Sequence, residues 1–513
     1  MKFEFLEKEG GVGLSTLLKR SARLFFDDSA LLQGSRGISY GELYFRAVQL
    51  SMALKARGLK PRSKVMLFCE NSIEFYIFYF AALQCGAILA PVNTFFGKGE
   101  LIHIINDCKP EMILCSSRLE KMFRSGDEWA ECKSFPDLIC DKSIDWNTSV
   151  PRNFESFTEF EPISLKMDET ALILYTSGTT GKPKGVMLSS RNAITNSAQV
   201  SSRLSWLVGT KERFFAVLPL FHIFAQNACI WTPLLNGGCV VVVPKIDRGE
   251  IREGLKHKPT IFLGFPALYG LLCLMRNAKL DSVKIFVSGA DALSDKIRAA
   301  FAMIYGRGIY SGYGLTETAP AIAVSIGDAF KKTEAVGPLL CGIECEVRDD
   351  DGNVVKQGSV GTLWVHGDNV MLGYYGAEEH TALTIKDGWL NTGDLVSVDG
   401  DGVISICGRA KDLIIHKGLN IYPQEIENVL LSHPLVFRVA VVGEKDDVHG
   451  QRPVAFVVLK EKTSKVGRAL KRFCLSRLAA YKVPREICCV DELPLGATGK
   501  VDKKLLVRRR SAL

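Results

Sequence analysis

At 513 residues, with 47% apolar and 23% charged residues, the chain is long enough for two or more domains, each with its own core, and too apolar to be extensively disordered. Its 15 cysteines are scattered, odd in number and without a CxxC pair near histidines, which argues against a disulfide framework or a zinc site and fits a reducing cytoplasmic setting. The net charge of +8 is uneven: from residue 410 onward 20 Lys+Arg stand against 11 Asp+Glu, so the last fifth of the chain carries all of the excess.

The first residues, MKFEFLEKEGGVGL, contain acidic side chains and no continuous apolar core, unlike a secretory signal. Residues 75–92, FYIFYFAALQCGAILAPV, are apolar for about the length a bilayer requires, but Gln84, Gly86 and Pro91 interrupt them. A buried helix to about Cys85, a turn at Gly86 and a short buried strand over 87–90 are predicted instead. The same order of helix, glycine turn and strand returns at 228–235, 236–238 and 239–243. Further strands are predicted at 64–68, 112–115, 213–218, 260–263 and 283–287. Helical runs between them imply α/β layers with largely parallel pairing. From Cys345 to Cys407, short strands are punctuated by Asp351-Gly352 and Asp401-Gly402, which predicts a smaller antiparallel, barrel-like piece. The basic remainder reads either as a small terminal domain that meets something acidic or as a solvated basic face with a frayed tail at Arg508–Arg510. No nucleic-acid motif accompanies the charge, so nucleic acid is not an expected partner.

One segment is chemically pointed. Residues 175–186, YTSGTTGKPKGV, put four Ser/Thr hydroxyls, three glycines and two lysines directly after an apolar run. Glycine lets a backbone approach a polyanion closely and lysine neutralises its charge, so phosphate is the expected ligand. The spacing is not that of a Walker loop, because Gly178 and Gly181 are only two residues apart and Pro183 follows Lys182.

Five more segments accompany this loop in order: LPLFHIF (218–224), SGYGLTET (311–318), NTGDL (391–395), GRAKDLIIHKGLNIYPQEIE (408–427) and GATGKVDKK (496–504). Together they resemble the shared motifs of the adenylate-forming superfamily of acyl-CoA synthetases, nonribosomal-peptide adenylation domains and luciferases. The resemblance implies a large domain of layered α/β sheets plus the barrel-like piece over residues 1–408, a hinge at 409–411, and a small mobile α+β lid domain over 412–513.

It also implies ATP and Mg²⁺ as cofactors. By this resemblance Thr176, Ser177, Gly178, Thr179, Thr180, Gly181 and Lys184 wrap the β- and γ-phosphates. Glu317, with Thr316 beside it and Thr176 across the site, is placed at Mg²⁺, an ion that takes a carboxylate and phosphate oxygens. Tyr313, followed by Gly314, is placed against adenine, with Gly289, Ala290 and Asp291 as the other wall, while Asp394 and Arg409 are placed at the ribose. His222 comes to the mouth of the acyl site. Lys500 is placed as the lysine of adenylate formation, Lys411 at the hinge, and Gly418 on the pantetheine tunnel. Relatives often carry arginine where Lys503 stands, and Lys503 is given no role. No general base for the thiol step is identified.

The acyl pocket is expected to be lined by 221–226, 264–266 and the segment before Tyr313, with room left by glycines 264, 289 and 312. No aspartate occurs over 221–231 to hold a substrate ammonium, which disfavours an amino acid. A medium- or long-chain fatty acid is the expected substrate and CoA the expected thiol. A phosphopantetheinylated acyl carrier protein, itself acidic, is the alternative acceptor. An aryl acid, luciferase-like oxidation and a non-catalytic fatty-acid-binding relative remain as further readings. The expected location is the cytoplasm, with at most peripheral contact at the inner membrane face.

Overall fold

The computed structural model describes residues 12–124, 129, 131–132, 135–154, 160–176, 183–205, 211–275, 277–325, 335–416, 419–446, 450–461, 466–495, 501–503 and 505–507. Two large sheets dominate. The first has eight strands, in the order 321–324, 310–314, 285–288, 261–264, 213–216, 239–242, 29–33 and 36–39. Its inner strands pair in parallel and antiparallel strands close both edges. The second has seven, in the order 373–374, 184–189, 170–176, 88–91, 64–68, 112–115 and 137–140.

The segment that mimics a membrane span forms a helix packed against strands of both sheets and then a strand of the second. Helix Ile73–Gln84 buries every residue except Glu74, starts at Ser72, whose hydroxyl accepts from the Phe75 amide at 3.1 Å, and gives way to strand Ile88–Pro91 through Gly86 at φ +71°. A helix that is apolar all round belongs in a core, and its buried hydroxyls have partners: Tyr76 donates to the Cys229 carbonyl at 2.9 Å and Tyr79 to Gln226 at 3.1 Å. Among the described residues no helix is long and apolar enough to cross a membrane.

The antiparallel piece begins earlier than its turn signals suggest. Strand Ala335–Pro338 pairs with Val403–Arg409, followed in the sheet by Trp389–Val398, Gly361–His366 and Glu344–Arg348, with Ile385–Lys386 pairing Trp389–Val398. The fourth sheet belongs to the C-terminal part: Ile414–His416, Leu419–Ile421, Val436–Asp446 and Gly450–Leu459 pair antiparallel, and Glu486–Cys489 adds in parallel. Its own buried clusters, around Ile426, Leu430 and Leu470 on one face and Val454, Leu493 and Leu506 on the other, make it a separate small domain.

Candidate active site

The antiparallel strands Thr170–Thr176 and Lys184–Ser189 pair up to Thr176 opposite Lys184, which sets these two residues at the end of a sheet. That end is pinned to helix Lys98–Cys108. Tyr175 donates to Asp107 at 2.6 Å, and His103 Nε2 donates to the Pro183 carbonyl at 3.1 Å. Ser177, Gly178, Thr179, Thr180 and Gly181 lie outside the described residues, as do Gly418 and Lys500.

Strands Ile285–Ser288 and Tyr310–Gly314 run in parallel with Ser288 opposite Ser311, and the segments that follow them, 289–291 and 313–317, emerge side by side at their carboxyl ends. That is where open α/β sheets bind ligands. Ala290 holds φ +69°, an uncommon backbone for a residue with a Cβ. Gly314 is fixed by close approach: a Cβ there would overlap the Pro320 carbonyl. Tyr313 reaches across to the antiparallel sheet, where its hydroxyl donates to Asp394 Oδ2 at 2.6 Å, and Arg409 Nε sits 2.7 Å from Asp394 Oδ1. Burial, then the Asp394 charge, holds the Tyr313 phenol far above its ordinary value, so it remains a donor.

Glu317 lies in the turn Thr316–Thr318. Its carbonyl accepts from the Met371 amide at 2.9 Å, and its Oε1 accepts from the Tyr374 hydroxyl at 2.9 Å. The other carboxylate oxygen is the one to offer a cation. Among the described residues no group of three His, Cys, Asp or Glu side chains gathers to hold a metal. A cation here would therefore take most of its ligands from the substrate and water, which is how Mg²⁺ binds phosphates, so the donor set fits.

His222 caps the short helix Ile223–Gln226, its Nδ1 accepting from the Phe224 amide at 3.3 Å. One continuous cavity of about 1920 Å³ joins Thr176, Lys184, Glu317, Tyr313, Asp394, Arg409 and His222, and reaches Lys411 and Lys503 of the C-terminal part. Lys503 pairs with Glu427 at 2.7 Å, a relationship that motif matching left without a role.

Where the acyl pocket is expected, the lining of the cavity differs from expectation. The segment 264–266 does not line this cavity, because Gly264 makes room for core side chains: a Cβ there would press on Leu268 and Tyr269. Gly289 likewise makes room for the Phe224 ring. The walls instead are Ile261, Leu263 and Val287, one face of the eight-stranded sheet, with Val200 and Ala228 from the covering helices. Their alternation with residues packed on the opposite face was the available signal.

The sequence pattern of AMP-binding enzymes matches residues 18–375, and that of the AMP-binding enzyme C-terminal domain matches 425–500. The chain belongs to the AMP-binding enzyme family. Among relatives of this family, a feruloyl-CoA synthase from Amycolatopsis sp is 31% identical over 97% of this chain and 99% of its own. A long-chain-fatty-acid–CoA ligase of Bacillus subtilis is 28% identical over 97% of this chain and 94% of its own. In structure, the o-succinylbenzoate-CoA synthetase MenE of Bacillus subtilis, solved with ATP and a magnesium ion, superposes with a TM-score of 0.84 at 27% identity over 96% of this chain and 99% of its own.

Proposed function

We propose that this AMP-binding enzyme is an ATP-dependent, AMP-forming ligase that joins a medium- or long-chain fatty acid to CoA. In the first step a carboxylate oxygen attacks the α-phosphorus of ATP and the bond to the bridging oxygen breaks, giving acyl-AMP and pyrophosphate. In the second, the CoA sulfur attacks the acyl carbon, the carbon–oxygen bond to AMP breaks, and thioester and AMP leave. Thr176 and Lys184 hold the phosphate end, Tyr313 and Asp394 the nucleoside, and His222 the mouth of the acyl site. Mg²⁺ held by Glu317 would supply countercharge for the leaving pyrophosphate. Lys500 is proposed to stabilise the charge that develops at phosphorus, with Lys411 as the pivot that then moves it away.

The shape of the acyl channel carries the choice of substrate. It is walled at one end by Gly289 and at the other by Glu212, Gly238 and Asn236. Strand register sets Glu212 level with Val283, six residues before Gly289. At about 3.3 Å per residue the stretch of sheet along the acyl side of the cavity spans about 20 Å. An extended chain advances about 1.2 Å per bond, so roughly sixteen bonds fit. An aryl acid would fill less than half of that length.

The test is a panel of saturated acids from six to eighteen carbons beside cinnamic, aryl-acetic and sulfonated short acids, each with ATP and Mg²⁺ and with CoA or acyl carrier protein as acceptor. AMP and thioester are measured. Highest kcat/KM for acids of ten carbons or more with CoA is expected. Preference for the aryl or short acids overturns the substrate assignment, and thioester with carrier protein alone overturns the acceptor.

A further inference from the structure

Strand Gly373–Tyr374 adds to the edge of the phosphate-loop hairpin, with Tyr374 opposite Val186 and the Tyr375 amide donating to the Gly185 carbonyl at 2.8 Å. Side chains two apart on a strand share a face, so Tyr374 is the diagonal neighbour of Lys184. The Lys184 ammonium lies 5.9 Å from the centre of the Tyr374 ring, and the His380 ring packs on the same phenol at 4.7 Å, tilted by 30°. Gly373 permits this approach. It holds φ +141° where a Cβ would collide with Thr381, and Thr381 Oγ1 in turn accepts from the Tyr374 amide at 2.9 Å. Tyr374 is only 8% exposed, and its hydroxyl ends on Glu317 Oε1.

We propose that Tyr374 is a positioning residue which sets the separation of the cation-binding and phosphate-binding charges, orienting Glu317 through its hydroxyl and Lys184 through its ring. One phenol thereby touches both the carboxylate that faces the metal and the ammonium that faces the phosphates. Held by one oxygen, the Glu317 carboxylate turns the other toward the cleft. His380 steadies the ring and lines the same cavity. The inference rests on the ATP-binding reading of the cleft but not on the identity of the acid or of the thiol.

Binding separates the two contacts without any turnover. Mn²⁺ serves as the probe, read by electron paramagnetic resonance in the presence of ATP, while ATP affinity in EDTA is read by calorimetry. Tyr374→Phe keeps the ring and loses the hydroxyl. It is expected to weaken Mn²⁺ binding about tenfold, in line with loss of one hydrogen bond to a charged group, and to leave metal-free ATP affinity within twofold. Tyr374→Leu is expected to weaken metal-free ATP binding as well. In a Glu317→Gln background, Tyr374→Phe should add nothing to the loss of Mn²⁺. Wild-type Mn²⁺ affinity in Tyr374→Phe, an equal loss of metal-free ATP binding, or additivity with Glu317→Gln overturns the proposal. Equal metal-free ATP affinity in the Phe and Leu variants overturns its Lys184 half. If ATP binds to no form of the protein, the ATP-binding reading itself fails, which is a different outcome.

Discussion

Asp394 and Arg409 are opposite partners on adjacent antiparallel strands, and the guanidinium Nε meets the carboxylate at 2.7 Å while Tyr313 donates to its other oxygen. The carboxylate therefore ties strand Tyr310–Gly314 to the segment that leads into the small domain. Asp394 is 3% exposed, whereas the Arg409 side chain is 39% exposed, so solvent screens the ion pair more than it does the half-buried phenol contact. Tyr313→Phe should lower unfolding stability by about 1–2 kcal/mol, the usual cost of leaving a buried acceptor short of its donor, and raise KM for ATP only a few-fold because the ring remains. Tyr313→Ala should raise that KM more than tenfold. Urea denaturation and ATP-dependent pyrophosphate release check both, and equal KM values in the two variants contradict a ring contact with the base.

Lys503 and Glu427 are both partly shielded, at 26% and 18% side-chain exposure, and Glu427 also accepts from the Val441 amide at 2.8 Å. Lys503 is thus held to its own domain. Lys503→Ala should slow adenylate formation less than about tenfold, because an ion pair that solvent still reaches contributes about 1 kcal/mol or less. Lys500→Ala should slow the same step by roughly 10²–10³, as for loss of one transition-state donor. Thioester formation from supplied acyl-AMP should survive in both. A Lys503→Ala loss as large as that of Lys500→Ala would show that Lys503 acts on substrate.

Parallel buried strands were legible because they read as short apolar runs with nothing to expose: 64–68 and 112–115 match residue for residue. The run 75–92 was legible for the same reason, its glycine and proline marking the turn and the strand. The strand Ser29–Gln33 and the edge strand Arg36–Ser39 beside it were not, since each mixes polar and apolar residues over four or five positions. Gly264 misled because a glycine that yields space to Tyr269 looks the same in sequence as one that yields space to a ligand. Tyr374 and the Lys503–Glu427 pair depend on which strand edges and domains meet, and no local periodicity encodes that.

The acyl channel offers a size test. Val200 sits on helix Ser190–Leu204, part-way along the wall that ends near Ser205. Val200→Trp adds bulk where an apolar chain would pass, and overfilling a packed site costs about 1–3 kcal/mol. Acids of twelve or more carbons should lose about tenfold or more in kcat/KM, while acids of six to eight carbons change little. A uniform loss over all lengths would place the chain elsewhere, and a scan of kcat/KM against carbon number decides.

Lys296, on helix Asp295–Tyr305, donates to the Val436 carbonyl of the small domain at 2.9 Å. Burial, then the neighbouring Lys460 ammonium, pushes Lys296 down to about 8. The cation faces Lys460 from the small domain. Nearby His433 is itself lowered by burial and then by Arg477 and Lys296, so no proton gained there in alkaline solution offsets the effect. When the domains part, Lys296 returns to an ordinary lysine near 10.4. The parted form then binds more protons between about pH 8 and 10.4, so raising the pH through that window favours the arrangement in which Lys296 meets Val436. Below about pH 8 both forms are protonated and the preference is flat. Fluorophores on the two domains, followed from pH 7 to 10, should report a rising closed fraction in the wild type. Lys296→Met, which keeps the stem and removes the charge, should abolish the slope. A slope unchanged in Lys296→Met would assign the pH response to another group.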